Sequence, residues 1–237
     1  MFTALCAHNH ATDGHCECPL RQRRLLALGV AGVAIAATLS PLAALAGGVE
    51  DAVVGLQHEW EVIKYQSIKS EREKRYEALA AKAHRVSETF ADRSEALIWE
   101  GIITASWAGA RGGLGALSLA KKAKSLYESA IKIDGNALDG SAYTSLAVLY
   151  DKVPGWPIGF GDKDKARELL QKGLSLNPKG IDPNFFYGEL LSETDHADEA
   201  LTYLERALQA PPRPGRQISD AGRREEVRAL IAKIKAH

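Results

Sequence analysis

Four positions near the C-terminus recur at one fixed distance. Ala166, Leu170, Gly173 and Pro178 are followed, 34 residues later at every position, by Ala200, Leu204, Ala207 and Pro212. Small residues at the first and third places let two helices approach closely, and the leucine between them fills the gap. Proline ends the unit because it lacks a backbone N–H and cannot continue a helix. A single hairpin of this kind cannot bury its own apolar face, so the period predicts a stack of them.

This spacing resembles the second helix of the tetratricopeptide repeat. Upstream, Ala123, Tyr127 and Ala130 repeat it, with Gly135 where proline would stand. First helices of the same pattern carry Trp99 and Gly101, then Tyr143, Ala147 and Tyr150, then Tyr187, Gly188 and Leu191. Tyr76, Ala80 and Ala83 fit loosely. The resemblance covers residues 50 to 214 and implies an all-α, tetratricopeptide-type helical-hairpin solenoid of three repeats plus one degenerate repeat. The domain boundaries that follow are 1–46, a leader; 47–93, the degenerate helical pair; 94–214, the repeats; and 215–237, a C-terminal capping helix.

The leader is read from its own chemistry. Arg21, Arg23 and Arg24 precede an apolar stretch from Leu25 to Leu39, and Ala44, Leu45 and Ala46 form the small-x-small pattern of a signal-peptidase site. Cleavage between Ala46 and Gly47 would place the remainder in the periplasm. The alternative is an inner-membrane anchor through residues 25–45, a run of 21 residues without a charge. Gln22, Arg23, Arg24, Leu25 and Leu26 resemble a degraded twin-arginine signal, so two export routes stay open. Three of the 30 basic and two of the 30 acidic residues precede the cut, leaving 27 against 28, a balance that gives nucleic acid no electrostatic purchase.

All three cysteines, Cys6, Cys16 and Cys18, also precede the cut, beside His8, His10 and His15. Their spacing matches no standard zinc module, and neither a metal nor another cofactor is expected. Catalytic patterns fail as well. His58 and Glu59 begin a zincin-like helix, but Val62 stands where the second histidine belongs. The glycines from Gly109 to Gly115 lack the terminal Lys-Ser or Lys-Thr of a phosphate loop, and His84 and His196 read as isolated. The chain reads as a non-enzyme.

Apolar residues at helical spacing predict helices over 50–68, 71–88, 94–107, 118–133, 138–152, 163–176, 183–194, 197–209 and 219–236. Ser70 with Glu73, and Asp92 with Glu95, are spaced as capping boxes; Asp162 and Asp182 read as N-caps. Without glycine or proline between them, the first two helices could be one. The last carries Val227, Leu230, Ile231 and Ile234 as a stripe, suited to closing the open end of a stack.

Two of the three repeats carry insertions between their helices, at 106–115 and 153–161, where Thr194, Asp195 and His196 suffice in the third. Each holds a tryptophan among glycines. Equivalent turns of a solenoid project from one edge, so Trp107, Arg111, Trp156 and Phe160 are the expected binding residues, for a protein partner or a small apolar ligand. The alternative is that Trp156, Ile158 and Phe160 fold back over the groove between hairpins. The inserted repeat, with Gly161, Asp162 and the Ala166 helix, also resembles the T-components associated with TRAP-type periplasmic solute transporters. That resemblance implies contact with a solute-binding protein or an apolar small molecule, in support of transport.

Overall fold

The computed structural model describes residues 48–236. The proposed cleavage at Ala46 and Gly47, the 25–45 run and the cysteine-histidine tip lie outside them. Among the described residues there are nine α-helices and no strand: α1 Val49–Gln66, α2 Lys69–Thr89, α3 Ser94–Arg111, α4 Gly113–Asp134, α5 Ala137–Lys152, α6 Lys163–Leu176, α7 Ile181–Ser192, α8 Ala197–Leu208 and α9 Gln217–Lys235. Within them, no helix is long and apolar enough to cross a membrane.

The small residues of the repeat sit where helices touch. A Cβ on Gly101 would lie 2.4 Å from the Tyr127 ring, one on Gly173 would lie 2.4 Å from the Thr144 hydroxyl, and one on Gly188 would lie 2.8 Å from Leu204. Each glycine thus lets the two helices of its hairpin close to backbone range. Ala123, Ala166, Ala200, Leu170 and Leu204 are buried between them, as the 34-residue register requires.

The odd-numbered helices pack in sequence, α1 on α3, α3 on α5, α5 on α7 and α7 on α9, and α9 then returns to α1. The stack therefore closes on itself. Its last helix does cap the final hairpin: Val227 is fully buried, with Leu230, Ile231 and Ile234 packed on Phe185, Leu204 and Ala207. Unforeseen from the sequence, the same helix also joins the first.

Some local expectations hold and others are corrected. α1 and α2 are separate helices, broken at Ser67 and Ile68 in extended conformation. Arg72 Nε and Nη2 secure that break by donating to the Ser67 carbonyl at 3.2 and 3.1 Å. Neither capping box forms; the cap positions of α2 and α3 are Ile68 and Arg93, which make no side-chain cap bond, and Glu95 instead accepts from Arg93. Asp162 does cap α6, accepting from Lys165 N at 3.0 Å. Asp182 lies inside α7, whose cap position is Gly180, because its carboxylate is engaged by Arg213 and Arg223.

The larger correction concerns 106–115. These residues are helix, not loop: α3 runs to Arg111 and α4 starts at Gly113, with only Gly112 between them. Gly112 and Gly113 have φ of 67° and 59°, left-handed values that glycine reaches without a Cβ clash, so two residues turn the chain. Ala108 and Ala120 are buried near the turn, and the gain from extending the hairpin offsets the roughly 1 kcal/mol helix cost of each glycine.

Candidate interaction surface

The second insertion, 153–161, lies in a true loop that runs from 153 to 162, and the bonds of this loop are nearly all its own. Ile158 N and Gly159 N both donate to Gly155 O at 3.1 Å, Gly161 N donates to Pro154 O at 2.9 Å, and Asp162 N donates to Tyr150 O at 2.9 Å. A Cβ on Gly161 would stand 1.8 Å from the Val153 carbonyl oxygen, and one on Gly159 would stand 2.4 Å from that of Pro154. Only glycine permits this closure. The Trp156–Pro157 peptide is cis.

The feet of the loop are tied by charge. Lys152 Nζ lies 2.6 Å from Glu193 and 2.9 Å from Asp151, and Lys163 pairs with the same two carboxylates. Desolvation works against the charge on both lysines, but the bonds to Glu193 and Asp151 outweigh it and hold them above the ordinary lysine value. Both ends of the loop are thereby pinned to the end of α7.

The side chains then divide. Phe160 folds back, edge-on to Tyr150 with ring centroids 5.6 Å apart and with the Lys124 ammonium 5.6 Å from its ring. Lys124 itself is raised above its usual value by Glu128. Trp156 and Ile158 do not fold back: they are 90% and 67% exposed. The fold-back reading thus holds for Phe160 and fails for Trp156 and Ile158, which leaves the root of the loop packed and its tip exposed.

Trp107 and Arg111 sit differently. Trp107 is half-buried against the N-terminal core of Val53, Leu56, Trp60 and Tyr76, and its indole N–H is buried without a partner. Arg111 is exposed, 3.9 Å from Glu73. Phe160 belongs to the central core and Trp107 to the N-terminal one. The second insertion reaches α4 just beyond the first, since a Cβ on Gly159 would lie 3.5 Å from Leu117, two residues past Gly115.

His84, read as isolated, is not. Its Nδ1 lies 3.0 Å from the buried Glu100 carboxylate, which also receives Lys122 at 2.8 Å and the Ser87 hydroxyl. Ser87 donates to the carboxylate rather than to the imidazole, so the histidine is not placed to activate it. The pairing of Glu100 with residues of α2 and α4 depends on packing between helices, which no local spacing displays. Among the described residues no cluster of histidine, cysteine and carboxylate groups could hold a metal.

No protein-family model and no curated protein matches the chain. Similar solved structures include yeast Tom70, 16% identical with a TM-score of 0.45 over 77% of this chain and 33% of that one. Another is TTC0263, a thermophilic TPR protein of Thermus thermophilus, 14% identical with a TM-score of 0.45 over 80% of this chain and 100% of that one. A third is YrrB, a TPR protein with an unusual peptide-binding site, 16% identical with a TM-score of 0.39 over 80% and 94%. The chain spans a third of the length of Tom70. The fold itself rests on the 34-residue register and the order of the hairpins, and it is a tetratricopeptide-type helical solenoid.

Proposed function

We propose that the chain is a non-catalytic scaffold that holds a protein partner through the tip of the 153–162 loop, in the periplasm after loss of residues 1–46. The observation that carries the reading is Trp156, 90% exposed beside Ile158 on a loop whose root is pinned. A large apolar side chain held out on a stiff support loses little entropy on docking, which is what an interface anchor needs. The transport-associated alternative needs both insertions at the mouth of an apolar cavity. The helical course of 106–115 and the packing of Trp107 into the core do not favour it.

The test is capture from periplasmic extract with the wild-type chain and with Trp156→Ala/Ile158→Ser. A specific partner should be retained by the first and weakened about 30-fold or more in the second, at unchanged melting temperature. Equal retention by both would move the site off this loop.

A further inference from the structure

We propose a second binding site, for an acidic peptide segment in extended conformation, in the groove bounded by the end of α1, the start of α2, the 211–216 linker and α9. Its volume is about 1310 Å³. That exceeds the roughly 300 to 1,000 Å³ of a small-molecule pocket and suits a length of chain. Tyr65, Pro212, Pro214 and Ile218 give it an apolar wall.

The charge on its walls does not balance. Three carboxylates line the groove, and each is already held by a cation that lines it too. Asp220 receives Arg213 Nε at 2.7 Å, Glu226 receives Lys64 at 3.3 Å, and Glu225 receives Arg228. Arg72 and Arg224 are left over. Both are half-buried, and among the described residues neither has a carboxylate partner. Each donates only to a backbone carbonyl, Arg72 to Ser67 and Arg224 to Ala210 at 2.9 Å, which leaves most of its N–H donors free. A guanidinium kept partly from water without a counter-charge costs stability, and planar forks of this kind suit carboxylates. A run of glutamate or aspartate side chains laid along the groove would supply both charges, with its backbone against the prolines and Tyr65. The site is separate from the 153–162 loop.

The experiment is fluorescence anisotropy of a labelled hexaglutamate peptide with the full chain at low salt. Wild type should bind it and ignore hexalysine. Arg72→Gln/Arg224→Gln keeps a donor for each carbonyl and removes the charge; it should weaken hexaglutamate about 10-fold or more at unchanged melting temperature. Arg72→Lys/Arg224→Lys should retain more of the affinity than the glutamine pair. Trp156→Ala/Ile158→Ser should bind hexaglutamate as wild type does, which separates this site from the loop. The proposal is overturned if wild type and the glutamine variant bind equally. It is equally overturned if hexaglutamate does not bind, or if an oligothymidylate of matching charge binds more tightly through the same arginines.

Discussion

The Glu61 carboxylate on α1 accepts hydrogen bonds from both the backbone N–H of Ser219, at 3.2 Å, and its hydroxyl, at 2.8 Å, although Ser219 lies 158 residues further along the chain on α9. Glu61 is 1% exposed, and His58 Nδ1 at 3.2 Å and Arg216 Nε at 3.6 Å approach the same group. Beside it, Gly222 faces the Tyr65 ring so closely that a Cβ would come within 2.2 Å. Arg216 also stacks on Trp99, 5.0 Å from its ring. These contacts turn a row of hairpins into a closed one.

Replacing Glu61 by leucine strands the Ser219 donors and leaves Arg216 without its carboxylate. The expected cost is about 1–3 kcal/mol in denaturant unfolding, with faster hydrogen exchange in both α1 and α9. Exchange that rises in α1 alone would show that the bond does not hold the closure. Gly222→Val should open the same seam by steric force, because the Tyr65 ring blocks the added atoms.

Deletion of α9 from Gln217 onward removes the fully buried Val227 and the partial burial of Leu230, Ile231 and Ile234. A fully buried aliphatic side chain contributes roughly 1.5–3 kcal/mol and a half-buried one less, so several kcal/mol should go. Since α9 touches α1 as well as α7 and α8, protection should fall at both ends of the stack. An unchanged denaturation midpoint would contradict the capping role.

The contrast between α6 and the 106–115 segment shows what the chain order displayed and what it hid. Asp162 marks the start of α6 by a local rule, a carboxylate reaching the N–H three residues on, and α6 starts at Lys163 accordingly. The glycines at 109, 112, 113 and 115 obey no such local rule. Only Gly112 and Gly113 are used for their dihedrals; Gly109 and Gly115 ride in helices stabilised by packing of α3 on α4. Propensity alone misreads them. Glu61 and Ser219 were illegible for a different reason, because their pairing depends on the summed curvature of every intervening hairpin. In the 153–162 loop, composition announced an aromatic surface but could not say that Phe160 turns inward while Trp156 turns out.

Asp182 provides a pH signature. Burial alone would raise its pKa, but Arg223 Nε at 2.8 Å and Arg213 Nη1 at 2.6 Å outweigh that and hold the carboxyl well below the usual range. A depressed folded pKa means the stabilisation is fully present above the unfolded value of about 3.9 and is lost as pH falls through the folded value. Stability should therefore decline on acidification below about pH 4. In Asp182→Asn that decline should flatten, and the variant should lose about 1–3 kcal/mol at pH 7, less than a fully buried pair because the carboxylate is 31% exposed. Denaturant melts of both proteins from pH 7 to pH 3 give the comparison; parallel curves would assign the acid sensitivity elsewhere.

Within the 153–162 loop, tip and root should respond to substitution with different sizes. Trp156→Ala removes a side chain that is 90% exposed, so its effect on unfolding should stay within about 0.5 kcal/mol. Phe160→Ala removes the edge-on contact with Tyr150 and the cover beside Lys124, and should cost about 1–3 kcal/mol. Gly161→Ala places a methyl 1.8 Å from the Val153 carbonyl oxygen, a backbone atom that cannot swing aside, so the loop must reopen at a similar cost. Denaturant midpoints rank the three, and tryptophan emission adds an independent reading: loss of Trp156 should remove a solvent-exposed, long-wavelength component that Gly161→Ala leaves in place. If Trp156→Ala proves as destabilising as Phe160→Ala, the tip is packed in solution, and a partner must be sought on the helix faces instead.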